Sequence, residues 1–142
     1  MNFEFSDEQN MLREQAQSFL KAECPPQAVR TVLDGDAAFD QGLWQKVVDM
    51  GWTATVIPEE YDGLGLSYLE LSVIAEELGR CLAPLPFSSS VYLATEAILA
   101  AGSDAQKAAW LPKLASGAVI GCLADSEANG HLTAAKLPTR YA

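Results

Sequence analysis

Histidine, cysteine and basic side chains are all scarce in this 142-residue chain. The single histidine, His131, leaves no basis for a histidine-built zinc site. The cysteines, Cys24, Cys81 and Cys122, are odd in number, far apart and never paired as Cys-x-x-Cys. They read as free, partly buried thiols in a reducing compartment. Lys and Arg together number 9 against 19 Asp and Glu, a net charge of −10, which argues against non-specific nucleic-acid binding. An anionic ligand remains allowed, because helix ends and a few local cations can hold one. No apolar run approaches the roughly 20 residues of a membrane span. The first eight residues are acidic where a signal peptide would be basic. The expectation is a cytoplasmic protein that binds neither membrane nor nucleic acid.

What is present is the composition of a soluble, packed domain: 49% apolar and 20% charged residues. Ser6-Asp7-Glu8-Gln9 has the spacing of a capping box, followed by Met11, Leu12, Ala16, Phe19 and Leu20 at helical intervals. Pro25-Pro26 should end that helix. A short helix over 27–33 stops at Asp34-Gly35-Asp36, and Leu43, Trp44, Val47, Val48 and Met50 suggest another, stopped by Gly51. Thr53 to Ile57 is short and β-branched and reads as extended chain. A long helix follows Ser67, with Leu71, Ile74, Ala75, Leu78 and Leu82 on one face, and Pro84 and Pro86 close it. Ser88 to Ala101 is apolar enough to imply burial nearly all round. Ser103-Asp104-Ala105-Gln106 opens a last helix, which Pro112 should bend or shorten and Ser116-Gly117 should end. Trp44, Trp52, Leu71, Ile74, Leu78 and Ile98 are the expected core. Ala118 to Ala124 reads as a strand. The fold class is therefore all-α: a helical bundle over 1–117, followed over 118–142 by the start of an incomplete β domain.

The most informative stretch is Pro58-Glu59-Glu60-Tyr61-Asp62-Gly63-Leu64-Gly65-Leu66-Ser67. Pro58 presets one backbone angle, Gly63 and Gly65 can adopt positive φ, and Ser67 with Glu70 forms a capping box into the next helix. This run resembles the amino-terminal helical domain of the acyl-CoA dehydrogenase family, which carries Pro-Glu-Glu-Tyr-Gly-Gly-x-Gly before a long helix. Asp62 stands where that pattern has its first Gly, a turn position that Asp tolerates. Three further segments match in order: the Ser-Asp-Glu-Gln opening, Glu76-Glu77-Leu78-Gly79-Arg80, and Gln106 through Gly117.

The resemblance implies an FAD-dependent oxidoreductase that converts an acyl-CoA thioester to the trans-2-enoyl-CoA, with an electron-transfer acceptor and a homo- or hetero-oligomeric assembly. The family's catalytic glutamate lies in a carboxyl-terminal helical domain, so the base is expected beyond Ala142. No catalytic or metal-binding residue is assigned within the chain. Glu59, Glu60, Glu76 and Glu77 read as solvated loop and helix carboxylates. By alignment with the family's flavin-contacting strand, Leu123, Asp125 and Ser126 are the cofactor-binding candidates, Ser126 offering a hydroxyl to the flavin ring. Ala128 replaces the usual Pro, and Asn129-Gly130-His131 replaces a glycine-rich turn that meets the acyl-CoA. Ser88, Tyr92 and His131 are the substrate-binding candidates, although Ser88-Ser89-Ser90 equally suits a cap feeding a buried helix. An alternative reading is a non-catalytic helical interaction module or partner subunit derived from the same fold.

Overall fold

The computed structural model describes residues 5–124. The helices among them are α1 (Asp7–Glu23), α2 (Pro26–Leu33), α3 (Gln41–Asp49), α4 (Tyr68–Arg80), α5 (Glu96–Ala101) and α6 (Asp104–Ala115). Single 3-10 turns lie at Trp52–Ala54 and Glu59–Tyr61, and a π-helix over Ser88–Thr95 runs directly into α5. No helix among the described residues is long and apolar enough to cross a membrane.

All three capping boxes form. Ser6, Ser67 and Ser103 open α1, α4 and α6, with Gln9, Glu70 and Gln106 reaching back to the cap backbone. The first two caps stand side by side, because Gln9 Nε2 donates to Glu70 Oε1 at 2.8 Å. Farther along, Arg13 donates to Glu76 at 2.9 Å and Gln17 to Glu77 at 3.0 Å, so α1 and α4 run together in the same direction. Between them and α3 lies the main core, which includes Ala16, Leu20, Trp44, Val47, Trp52, Leu71, Ile74 and Leu78. A smaller cluster joins Ala54 and Ile57 to Leu111, Leu114 and Ala115 of α6. Trp44, Trp52, Leu71, Ile74 and Leu78 are buried as expected; Ile98 is only partly buried, against the second cluster.

The Pro58 loop is a knot of backbone hydrogen bonds. The amides of Leu64, Gly65 and Leu66 donate to the carbonyls of Ala54, Ile57 and Thr55 at 2.8–2.9 Å. Asp62 takes the left-handed turn at φ 62°, and Gly65 takes another at φ 61°. Gly63 does not have positive φ; it is required for a different reason, since a Cβ there would lie 1.9 Å from the Ile57 carbonyl oxygen.

Several expectations need correction. Thr53 to Ile57 is not extended: Thr55 Oγ1 donates to the Trp52 carbonyl and Thr53 Oγ1 to the Ala115 carbonyl, both at 2.7 Å, so the hydroxyls hold a turn that β-propensity alone would not favour. Leu82 is not on the buried face of α4. The helix has already ended at Arg80, and Leu82, at φ 54°, is 73% exposed. Met11 is likewise exposed on α1, and Leu93 on the π-helix. Pro112 sits inside α6 without ending it. The segment from Ala118 to Ala124 forms no strand, because no described segment offers it a ladder partner. Glu77 is not solvated: it is 2% exposed, with Arg80 Nε at 3.2 Å and Gln17 Nε2 at 3.0 Å.

Candidate functional site

After α4 ends at Arg80 the chain passes Pro84 and Pro86 and turns through Phe87 into the π-helix. In a π-helix the backbone bonds span five residues instead of four, which widens the turn and often marks a functional position. Here Thr95 Oγ1 also donates across that five-residue gap to the Ser90 carbonyl at 2.9 Å. Ser90, Val91, Ala94 and Thr95 are buried, which leaves Ser88, Tyr92 and Leu93 to face outward or along the surface.

Two of the predicted substrate residues come together at this point. Ser88 and Tyr92 line a cleft of 190 Å³ with Leu78, Gly79, Leu82 and Leu85. Tyr92 packs edge-on against Phe87, ring centroids 5.4 Å apart. Burial pushes the Tyr92 hydroxyl up to about 12, so at neutral pH it is an uncharged donor. Ser88 is exposed, and its hydroxyl makes no hydrogen bond to a described residue, whereas Ser89 Oγ donates to the Pro86 carbonyl at 3.0 Å. The three serines thus divide: Ser88 is open, Ser89 closes the turn, and Ser90 is buried.

Ser90 has a further role that the sequence did not disclose. Its Oγ accepts from the Gly121 amide at 3.2 Å, tying the chain after α6 onto the π-helix. A Cβ at Gly121 would come 2.5 Å from Ala94 Cβ, so the close approach requires glycine. Leu123, two residues on, is 46% exposed. The backbone from Cys122 to Ala124 makes no hydrogen bond to a described residue. Asp125, Ser126 and His131 lie outside the described residues.

The carboxylates are committed elsewhere. Glu59 and Glu60 are exposed in the Pro58 loop. Glu76 bridges Arg13 and Arg80 at 2.9 and 2.7 Å. Glu70 is drawn down to about 2, first by the Ser67 hydroxyl and then by Gln9. Tyr68 OH donates to Glu96 Oε2 at 2.8 Å, which raises the Tyr68 pKa, while Glu96 Oε1 is buried without a partner among the described residues. This pair was not singled out from sequence, since Tyr68 and Glu96 stand in different helices and carry no shared motif. No group of three or more metal-ligating side chains occurs among the described residues.

A sequence-family model described as the acyl-CoA dehydrogenase N-terminal domain matches residues 6–118. The acyl-CoA dehydrogenase IpdE2 of Mycobacterium tuberculosis is 36% identical over 118 residues, covering 82% of this chain and 36% of that protein. The ChsE4–ChsE5 complex of the same organism aligns at TM-score 0.76 and 30% identity, over 84% of this chain and 33% of that one. An acyl-CoA dehydrogenase complexed with FAD from Bacillus anthracis aligns at TM-score 0.78 and 26% identity, over 90% of this chain and 22% of that one. The chain thus spans about a third or less of the length of these relatives. Its helices, its Pro58 loop and its sequence place it in the acyl-CoA dehydrogenase family, as the amino-terminal helical domain.

Proposed function

We propose that this chain forms the acyl-binding wall of an FAD-dependent enzyme that dehydrogenates an acyl-CoA thioester to the trans-2-enoyl-CoA. The observation that carries the reading is the meeting of Ser88 and Tyr92 in one cleft, beside the glycine-tethered segment 121–124. Two features of that segment support its meeting the flavin. Gly121 removes side-chain bulk, and the following backbone amides and carbonyls are free of other described partners. Leu123 would pack on the ring, with Asp125 and Ser126 as further contacts. When bound, FAD supplies the acceptor for the hydride that leaves the β-carbon.

The chain's own part is to bind, orient and exclude water. Leu78, Leu82 and Leu85 give the cleft an apolar wall for an alkyl chain, while Tyr92 and Ser88 are the uncharged polar residues that bound it. Glu70, Glu76, Glu77 and Glu96 are each held by a donor or a cation. In this reading the base is the family's glutamate, expected beyond Ala142. His131 belongs to the same reading as an acyl-CoA contact. An electron acceptor and an oligomeric assembly belong to the same reading; the ChsE4–ChsE5 relative was solved as a complex of two named chains.

The test is to purify the flavin-loaded gene product that contains this chain and to add acyl-CoA thioesters of graded chain length without oxygen. Bleaching of the visible flavin absorbance supports the reading. Ser88→Leu or Tyr92→Trp should then shift the preferred chain length. A stoichiometrically flavinated protein that no acyl-CoA reduces would overturn the proposal.

A further inference from the structure

A larger concavity than the Ser88–Tyr92 cleft lies elsewhere among the described residues. It is a groove of 670 Å³ between the carboxyl-terminal turns of α1 and α4 and the whole of α2. That volume lies within the roughly 300–1,000 Å³ typical of small-molecule sites. Its apolar lining includes Leu20, Cys24, Pro26, Val29, Leu33 and Leu82.

Three observations point to the chemistry of an occupant. First, the rim is cationic in a strongly acidic chain. Lys21, Arg30 and Arg80 line the groove against a single carboxylate, Asp34. Arg80 is partly neutralised by Glu76 and Glu77, but Lys21 and Arg30 make no ion pair with any described residue. The amino-terminal end of α2, which has no side-chain cap, adds its positive end to the same lining. Second, Leu33 and Leu82 are 76% and 73% exposed at the groove, an apolar surface with no described cover. Third, Leu82 holds its place at φ 54°, a left-handed conformation that strains a leucine and that glycine would adopt freely. Strain held by an exposed side chain is not explained by core packing. Leu82 also borders the Ser88–Tyr92 cleft, so it forms the ridge between the two concavities.

We propose that the α1–α2–α4 groove is a second ligand site, for a medium-chain aliphatic carboxylate. The alkyl body lies along Leu20, Val29, Leu33 and Leu82, and the carboxylate sits between Lys21 and Arg30. An apolar groove with two uncommitted cations matches such a ligand in both parts, whereas a neutral alcohol or an alkylammonium matches only one. The proposal does not depend on the acyl-CoA reading, since it concerns a different cavity and a free acid.

The experiment titrates the flavin-loaded gene product that contains this chain with sodium decanoate, reading backbone amide shifts by nuclear magnetic resonance. Decanol and decyltrimethylammonium serve as controls. The expected result is saturable binding with shifts confined to residues 20–34 and 80–82, and affinity at least about tenfold weaker for the ammonium analogue. The double variant K21Q/R30Q should weaken decanoate by roughly tenfold or more. Leu82→Gly should weaken it as well while leaving the melting temperature unchanged or raised, because it relieves the strained φ; that separates a lost contact from a lost fold. Equal binding of decanoate and the ammonium analogue overturns the proposal, as does a K21Q/R30Q variant that binds like the parent. Two other occupants would also overturn it. One is a second copy of the chain, seen as concentration-dependent self-association that shifts the same amides without decanoate. The other is a Glu/Leu-patterned helical peptide that binds those residues more tightly than decanoate does.

Discussion

Asp62 and Gly63 are neighbours with different backbone demands. Asp62 pays a modest conformational cost at φ 62°, which a short polar side chain tolerates and glycine would remove. Gly63 has ordinary φ but no room, with the Ile57 carbonyl where its Cβ would be. Asp62→Gly should therefore change stability by at most about 1 kcal/mol, and towards greater stability if anything. Gly63→Ala should cost about 3 kcal/mol or more, since it must break the backbone knot that seats α4. Urea unfolding of both variants checks the contrast; equal effects would mean that the loop can rearrange around a methyl group. A second pair of neighbours is Glu76 and Glu77. Glu77 is buried among Gln17, Arg13 and Arg80, so Glu77→Gln should cost about 1–3 kcal/mol by leaving charged donors poorly matched. Glu76 is half-exposed, and Glu76→Gln should cost no more than about 1 kcal/mol. Sequence gave these two residues the same reading because both sit in one polar run; only the approach of α1 separates them.

At the level of elements, the helix starts were the most legible feature. A serine followed three residues later by Gln or Glu encodes its own hydrogen bonds, and each of the three boxes is local. Elements whose form depends on distant partners were less legible. The 53–57 segment turns because Thr53 reaches Ala115, and no pattern within five residues reports that contact. Leu82 has the spacing of a core leucine but falls just past the end of α4. The same reasoning applies to the candidate site: Ser88 and Tyr92 could be named from resemblance, while the Ser90–Gly121 tether and the groove beside α2 arise only in three dimensions. The Ser67–Glu70 box also has a pH consequence. The usual Glu pKa of 4.5 is lowered to about 2 in the folded chain, chiefly by the Ser67 hydroxyl and then Gln9. Folding therefore favours the charged form, so this contribution is complete above pH 4.5 and lost as pH falls towards 2. Glu70→Gln should flatten the acid limb of stability across that window, measured by unfolding at a series of pH values; an unchanged slope would assign the acid sensitivity to other carboxylates.

For the whole molecule, the isolated 142-residue chain should give a far-UV spectrum dominated by helix and should turn over no acyl-CoA. In the proposed reading the base lies beyond Ala142 and the 121–124 segment is only part of the flavin site. Measurable turnover by the purified chain would require a base within residues 1–142 and would contradict the proposed division of labour. The π-helix over Ser88–Thr95 bears on how this chain should be compared with its relatives. A π segment is an α-helix holding one residue too many, so it behaves as an insertion that the fold has absorbed rather than expelled into a loop. Removing one residue from it would restore ordinary winding while the helix on either side kept its facing, so the change would fall on the bulged turn itself. Ser88 and Tyr92 would then stand three residues apart instead of four, still on one face but with a different offset along it. A relative whose alignment opens a single-residue gap here should therefore differ from this chain in the shape of the Ser88–Tyr92 cleft, even where the side chains lining that cleft are identical.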